Sequence, residues 1–246
     1  MTWMPDTNEL APGVTIERRT ILWAPLALAA AWYAARPAHA AETAAPLDWE
    51  DFIRLCPAEA AGLARDASDI GQDTYLNRIA AWAVRLRAAP DTKLGAFAGL
   101  DPKVEFGPSF RGVPFAVIQW RMAPRAVLPA HCHPQASVCT VGMEGEARIR
   151  HFEIHGQAPA FDSGTNTPFL MRETRSQIVA PRRISTLSAT RDNIHYFEAG
   201  DAGARGLDIT TAYGGDGRFS FVAFHPDKPT DPKKQLFEAV WTGMKL

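Results

Sequence analysis

The chain has 246 residues, of which 46% are hydrophobic and 22% charged, and its formal net charge is −1. This length allows one domain of roughly two hundred residues with a proper core, whereas two large domains would not fit. Basic residues are scattered and form no basic stripe, so the sequence argues against a nucleic-acid-binding protein.

The first forty residues have the three parts of an export signal. A polar stretch ends in Arg18-Arg19, an apolar run covers 21–35, and Ala38-His39-Ala40 offers a small-x-small cleavage site. The run is shorter than the ~20 residues that cross a bilayer, so we predict cleavage after Ala40 and no stable membrane anchor. The paired arginines resemble a twin-arginine signal. This resemblance implies folded export by the twin-arginine machinery to the periplasm or beyond, with the general secretory route as the alternative.

Residues 41–100 are predicted to form an N-terminal helical segment. Asp48 can cap a short helix that Pro57 interrupts. A second helix is predicted from about Asp73, because apolar residues recur at three-and-four spacing until Pro90. The two helices are expected to form a lid or buttress.

After about residue 106 the sequence consists of short runs rich in Val, Ile and Phe, separated by Gly and Pro. Eight strands are predicted, over 115–121, 126–132, 137–141, 146–154, 185–189, 193–198, 207–212 and 219–224. Such a series is typical of an antiparallel double sheet or jelly roll, so the fold class is predicted to be mainly β with N-terminal helices. We assign the barrel to 101–226, with a long loop over 157–177, and predict a helical C-terminal extension over 227–246.

Three cysteines, Cys56, Cys132 and Cys139, form an odd set for a chain bound for an oxidising compartment, so at most one disulfide can form. Cys132 and Cys139 are expected to be packing residues. Whether these two are bridged stays open.

The segment His131-Cys132-His133 lies in a predicted strand, where residues two apart point to the same face. Both imidazoles could therefore enter the barrel together. His195, in a strand of the second half, is the best candidate for a third ligand. On spacing alone, a structural role for these histidines is as plausible as metal binding. His151 and His155 are interpreted as surface residues, although His151 could share the same face.

Two sets of motifs resemble those of the plant cysteine oxidase and cysteamine dioxygenase family. The first set is 127–134 (VLPAHCHP), 137–140 (SVCT), Gly145 and 148–153 (RIRHFE). The second set is 186–188 (TLS), 193–197 (NIHYF), 207–209 (LDI) and Tyr213. The resemblance covers roughly residues 113 to 224, with the motifs in the expected order.

This resemblance implies a cupin-type double-stranded β-helix barrel that holds Fe(II) with His131, His133 and His195. Residues 135–138 lack the acid that most cupins carry after HxH, which leaves three neutral ligands. Such an ion attracts a thiolate, and both atoms of dioxygen would pass to sulfur to give a sulfinic acid. Asp208 is then expected to orient or deprotonate a substrate amine, and Tyr213 to donate a hydrogen bond near dioxygen.

The sequence departs from that family in ways that leave the substrate open. Arg191-Asp192 stand where small residues are common, and no Cys-x-Tyr pair could form a covalent crosslink. The thiol could be a small aminothiol, a mercapto acid or an N-terminal cysteine. Two other functions stay open: a zinc-dependent hydrolase or lyase with a three-histidine site, and a non-catalytic periplasmic cupin that binds or senses a ligand.

Overall fold

In the computed structural model, residues 45–97, 100–160, 167–213 and 220–242 are described. The described helices and strands belong to one compact unit. The predicted export signal over 1–40, with its cleavage site, lies outside the described residues. Among the helices of the described residues, none combines the length and the apolar character needed to span a bilayer.

Two helices open the described chain. Helix α1 (Trp49–Leu63) is capped by Asp48, whose carboxylate accepts a hydrogen bond of 2.8 Å from the Asp51 amide. The prediction that Pro57 interrupts this helix is wrong: Pro57 lies inside it, and the buried face continues beyond the proline. A proline inside a helix removes one hydrogen bond and crowds the carbonyl four residues before it, and apolar packing on both sides of Pro57 offsets that cost. Helix α2 (Asp69–Ala83) begins four residues before the predicted start because Ser68 caps it.

Ten strands follow. They are β1 (Gly95–Ala96), β2 (Val104–Arg111), β3 (Phe115–Met122), β4 (Val127–Cys132), β5 (Ala136–His155), β6 (Phe169–Val179), β7 (Ile184–Leu187), β8 (Ile194–Ala212), β9 (Ser220–Phe224) and β10 (Leu236–Trp241). Of the eight predicted strands, four correspond to β3, β4, β7 and β9. The other four are the two halves of β5 and the two halves of β8.

Six strands close into an antiparallel barrel, in the order β8-β4-β9-β10-β6-β5 and back to β8. The long strands β5 and β8 change partners along their length, and their register shifts between Gly142 and Ala147. On the other side of this shift, β5 pairs with β7 and β8 pairs with β3. This sheet continues from β3 through β2 to β1. Gly145 lies at the shift with φ of +60°, a conformation that favours glycine. This architecture confirms the predicted mainly β, cupin-type barrel.

Within the predicted C-terminal extension over 227–246, the described residues form strand β10 at 236–241, so the prediction of a helix there is wrong. Leu236, Phe237, Val240 and Trp241 fit a helical spacing, but β10 pairs with β6 and β9 and completes the barrel. Likewise, β6 occupies part of the predicted loop over 157–177. Apart from Ile178, its exposed positions are polar, which hid its strand character from a hydrophobicity pattern.

The helices pack on the sheet in which β5 and β8 pair with β7 and β3. One apolar cluster, which contains Cys56 of α1 and Cys139 of β5, forms this contact. A hydrogen bond between the hydroxyls of Tyr75 and Thr211 reinforces the contact between α2 and β8. Cys132 belongs to another cluster, and all three cysteines are buried with no disulfide between any two of them. The expectation that Cys132 and Cys139 are packing residues is therefore confirmed.

Candidate metal centre

His131 and His195 face each other across neighbouring strands. They are register partners in the β4–β8 pair, and cross-strand partners point to the same face of a sheet. Their Nε2 atoms lie 2.8 Å apart. His133 stands one residue beyond the end of β4, and its Nε2 lies 3.1 Å from Nε2 of His195. The structure thus brings together three histidines that are 2 and 62 residues apart along the chain.

The ligating nitrogens of these residues, here called the histidine cluster, all lie within 4.8 Å of one another. Two nitrogens held at right angles about 2.1 Å from one ion would be about 3.0 Å apart. The two short distances in the cluster, 2.8 and 3.1 Å, match that value. Among the described residues, no Asp or Glu belongs to the cluster. The donor set therefore fits one metal ion on three imidazoles.

Burial keeps these imidazoles neutral, the form that binds metal. Desolvation lowers the pKa of His131 to about 4. Burial also lowers the pKa of His133 and His195 well below the usual value, and the neighbouring histidines add to the effect. The Nδ1 atom of His131 lies 2.9 Å from the Pro129 carbonyl oxygen, to which it can only donate. This bond leaves the Nε2 lone pair of His131 directed at the cluster.

Asp208 is a buried acid that lines the same cavity as His131 and His133. Its Oδ1 accepts hydrogen bonds from the hydroxyl of Thr140 at 2.6 Å and from the indole of Trp120 at 3.3 Å. Burial raises the pKa of Asp208 to about 6, and the two hydrogen bonds oppose that rise. Asp208 can therefore exchange a proton near neutral pH.

The cavity has a volume of about 690 Å³ and opens onto His131 and His133. Its walls are largely apolar, and they include Phe97, Leu100, Phe106, Ile118, Leu128 and Phe221. This size lies within the usual range for small-molecule sites. The polar lining residues include His131, His133 and Asp208, so the histidine cluster borders a mostly apolar pocket of the kind expected for a ligand.

Tyr213 does not line this cavity. Its hydroxyl donates to the side-chain carbonyl of Gln72 on α2 and accepts a hydrogen bond of 3.3 Å from the Ala189 amide. The structure therefore gathers His131, His133 and His195 in one cluster, places Asp208 on the wall of the adjoining cavity, and directs Tyr213 to the helices. Strand β8 ends at Ala212, and the next residue, Tyr213, packs against the apolar cluster that joins α2 to the sheet.

His151 lies next to the histidine cluster, which the sequence did not predict. It is 1% exposed, so the prediction of a surface position is wrong. It is the β5 partner of His195, and its Nε2 lies 2.6 Å from the hydroxyl of Ser185. Burial lowers the pKa of His151 to about 4, and the neighbouring Arg175 adds to that shift. Alternation with the buried Ile149 on the same strand could have revealed its inward position.

No family model and no curated protein matches the sequence. Solved structures that resemble the chain include KdgF from Halomonas sp., with 10% identity over 50% of this chain and 86% of that chain (TM-score 0.34). The Schizosaccharomyces pombe Cnp3 cupin domain is 12% identical over 51% and 72% (TM-score 0.35). Oxalate oxidase in complex with glycolate is 15% identical over 52% of this chain, which spans only 59% of that protein (TM-score 0.36).

Likenesses at this level concern the fold and carry no information about activity. The strand order and the histidine cluster describe the class of protein on their own. The chain is a cupin-type barrel with a three-histidine site suited to a metal ion.

Proposed function

We propose that this protein is a non-haem Fe(II) thiol dioxygenase that converts a thiol to a sulfinic acid with dioxygen. The observation that carries the proposal is the donor set: three neutral imidazoles and no carboxylate among the described residues of the cluster. Neutral ligands leave a divalent ion with its full charge, which favours an anionic thiolate as a further ligand. When bound, ferrous iron would supply the centre at which a thiol sulfur takes up both atoms of dioxygen.

The residues around the cluster would bind the substrate and manage its proton. Asp208 is charged above pH 6 or so, and its Oδ2 receives no hydrogen bond from the described residues. That oxygen is available to an ammonium group or a thiol proton in the cavity. The apolar walls would exclude water from the sulfur.

The cavity accommodates more than a two-carbon thiol. A volume of about 690 Å³ is large for cysteamine and leaves room for a longer mercapto acid or the first residues of a peptide with N-terminal cysteine. We therefore propose that the substrate is a thiol of one of these kinds and expect the larger ones to be preferred.

We also propose that the protein acts in the periplasm or outside the cell. This proposal rests on the apolar run and the small-x-small site within residues 1–40, and on the paired arginines before them. Export by the twin-arginine machinery would deliver the protein folded.

The test is to load metal-free protein with Fe(II) in the absence of air and then add air together with a panel of thiols. The masses of the products are determined by mass spectrometry. The panel holds cysteamine, 3-mercaptopropionate, cysteine and a peptide with N-terminal cysteine. We expect oxygen uptake and a gain of two oxygen atoms with at least one thiol. His195→Ala should abolish the gain, and His155→Ala, at a histidine outside the cluster, should retain it.

Two results would contradict the proposal. Activity with zinc and no oxygen uptake would favour the hydrolase or lyase function, since three histidines and a bound water also suit zinc. Recovery of an unchanged ligand after long aerobic incubation of the ferrous protein would favour a binding or sensing function.

A further inference from the structure

His133 is the ligand that strand pairing does not hold. Strand β4 ends at Cys132, whose register partner is Ile194, so His133 lies beyond the last paired residue. Its backbone amide lies 3.4 Å from the Asn193 carbonyl oxygen, a long hydrogen bond. The His133 carbonyl oxygen also accepts a hydrogen bond of 3.2 Å from the Ala136 amide, in the turn that leads to β5.

The side chain of Asn193 holds both backbone groups of His133. Its Oδ1 accepts from the His133 amide at 3.2 Å, and its Nδ2 donates to the His133 carbonyl at 2.8 Å. The side-chain amide of Asn193 thus forms with His133 the two backbone hydrogen bonds that a residue of a neighbouring strand would otherwise form. Among side chains of this length, only asparagine offers a donor and an acceptor side by side.

The Asn193 amide is itself fixed. Its Nδ2 donates a second hydrogen bond, of 2.8 Å, to the Ser188 carbonyl. The preceding residue, Asp192, has φ of +56°, a left-handed conformation that few non-glycine residues adopt. Such backbone conformations persist where surrounding contacts hold them, and they cluster at functional sites. His195 follows Asn193 by two residues. The short segment 193–195 therefore supplies one candidate ligand, His195, and holds the backbone of another, His133.

We propose that Asn193 is a positioning residue that fixes the His133 imidazole on the metal through the His133 backbone. The segment 193–195 then sets the distance between two ligands that are 62 residues apart in the chain. Outer groups that orient metal ligands affect metal affinity by about 10- to 100-fold. This inference rests on the metal site and is independent of the thiol chemistry proposed above.

The test compares Asn193→Ala and Asn193→Ser with the wild type, using Co(II) as the probe. Alanine removes both hydrogen-bonding groups, and the serine hydroxyl is too short to span them. Asn77→Ala is the matched control, because Asn77 is exposed on α2. Three quantities are measured: Co(II) affinity by competition with a chelator, the visible spectrum at saturating Co(II), and the melting temperature of the metal-free protein.

We expect both Asn193 variants to bind Co(II) about 10- to 100-fold more weakly, with altered visible bands even at saturation. The control should match the wild type in all three measurements. A purely structural role would lower the melting temperature and leave the saturated spectrum unchanged, and that result would overturn the inference. It would also be overturned if both variants failed to fold without metal while Asn77→Ala folded.

Failure of this inference can be told apart from failure of the proposed function. If the wild type bound no Co(II), the metal site and the role of Asn193 would both be wrong. If the wild type bound Co(II) and the Asn193 variants behaved as expected, but the iron-loaded protein left every thiol unchanged, only the proposed reaction would be wrong.

Discussion

Replacing Asp208 with asparagine should stabilise the protein while impairing its function. Both hydrogen bonds that the described residues give this side chain, from Thr140 and Trp120, go to Oδ1. An asparagine with its oxygen in that position keeps both bonds and turns its amide nitrogen toward the cavity. The substitution therefore removes a buried charge with little change in packing.

The size of the effect follows from the pKa of Asp208. Burial raises it from 3.8 to about 6, so the folded protein holds this proton more tightly than the unfolded chain does. Wild-type stability is then lost as the pH rises through this interval, whereas the asparagine variant has no such proton. The variant should be more stable by about 1.5 kcal/mol at pH 5 and by about 3 kcal/mol at pH 8.

Urea denaturation of both metal-free proteins between pH 5 and pH 8 measures this difference. Ionisation of the histidines is common to both proteins and cancels in the comparison. A variant that is less stable than the wild type at pH 8, or a difference that does not grow with pH, would refute the reasoning. For function, we expect Asp208→Asn to lower kcat/KM most for thiols that carry an amine.

Three further predictions concern the histidines and the helices. Alanine at any member of the histidine cluster should reduce bound metal from about one ion per chain to almost none, with His155→Ala as the control and elemental analysis as the measurement. Burial lowers the pKa of His131 and His151 to about 4. The metal-free protein should therefore lose stability as the pH falls from 6.5 toward 4. A midpoint of urea denaturation that stays constant over this pH range would contradict this prediction. Tyr75→Phe leaves the buried Thr211 hydroxyl without that partner and should cost about 1–2 kcal/mol in urea denaturation, so an unchanged midpoint would count against this contact.

The metal ligands were within reach of sequence reasoning because strand geometry is periodic. Alternation predicted that His131 and His133 face the same side, and the strand pattern of the second half of the barrel made His195 the best third candidate. The structure unites all three in one cluster. The part played by Asn193 could not be predicted, because it depends on where β4 stops pairing with β8.

The errors in the predicted fold have local physical causes. The apolar residues of β10 repeat at a spacing that suits a helix, and only the pairing with β6 and β9 selects a strand. Pro57 was expected to interrupt α1, but the buried face of the helix outweighs one missing hydrogen bond. Tyr213 matched a motif, yet its position depends on the contact with Gln72, which no local pattern reveals.

X-ray absorption at the iron edge tests the metal centre most directly. On protein loaded with one equivalent of Fe(II), the account predicts scattering from three imidazoles with Fe–N distances of about 2.1 Å, and no carboxylate ligand from the protein. Addition of a substrate thiol should bring a sulfur atom into the coordination sphere. Fewer than three imidazoles, or a carboxylate from the chain among the ligands, would contradict the account.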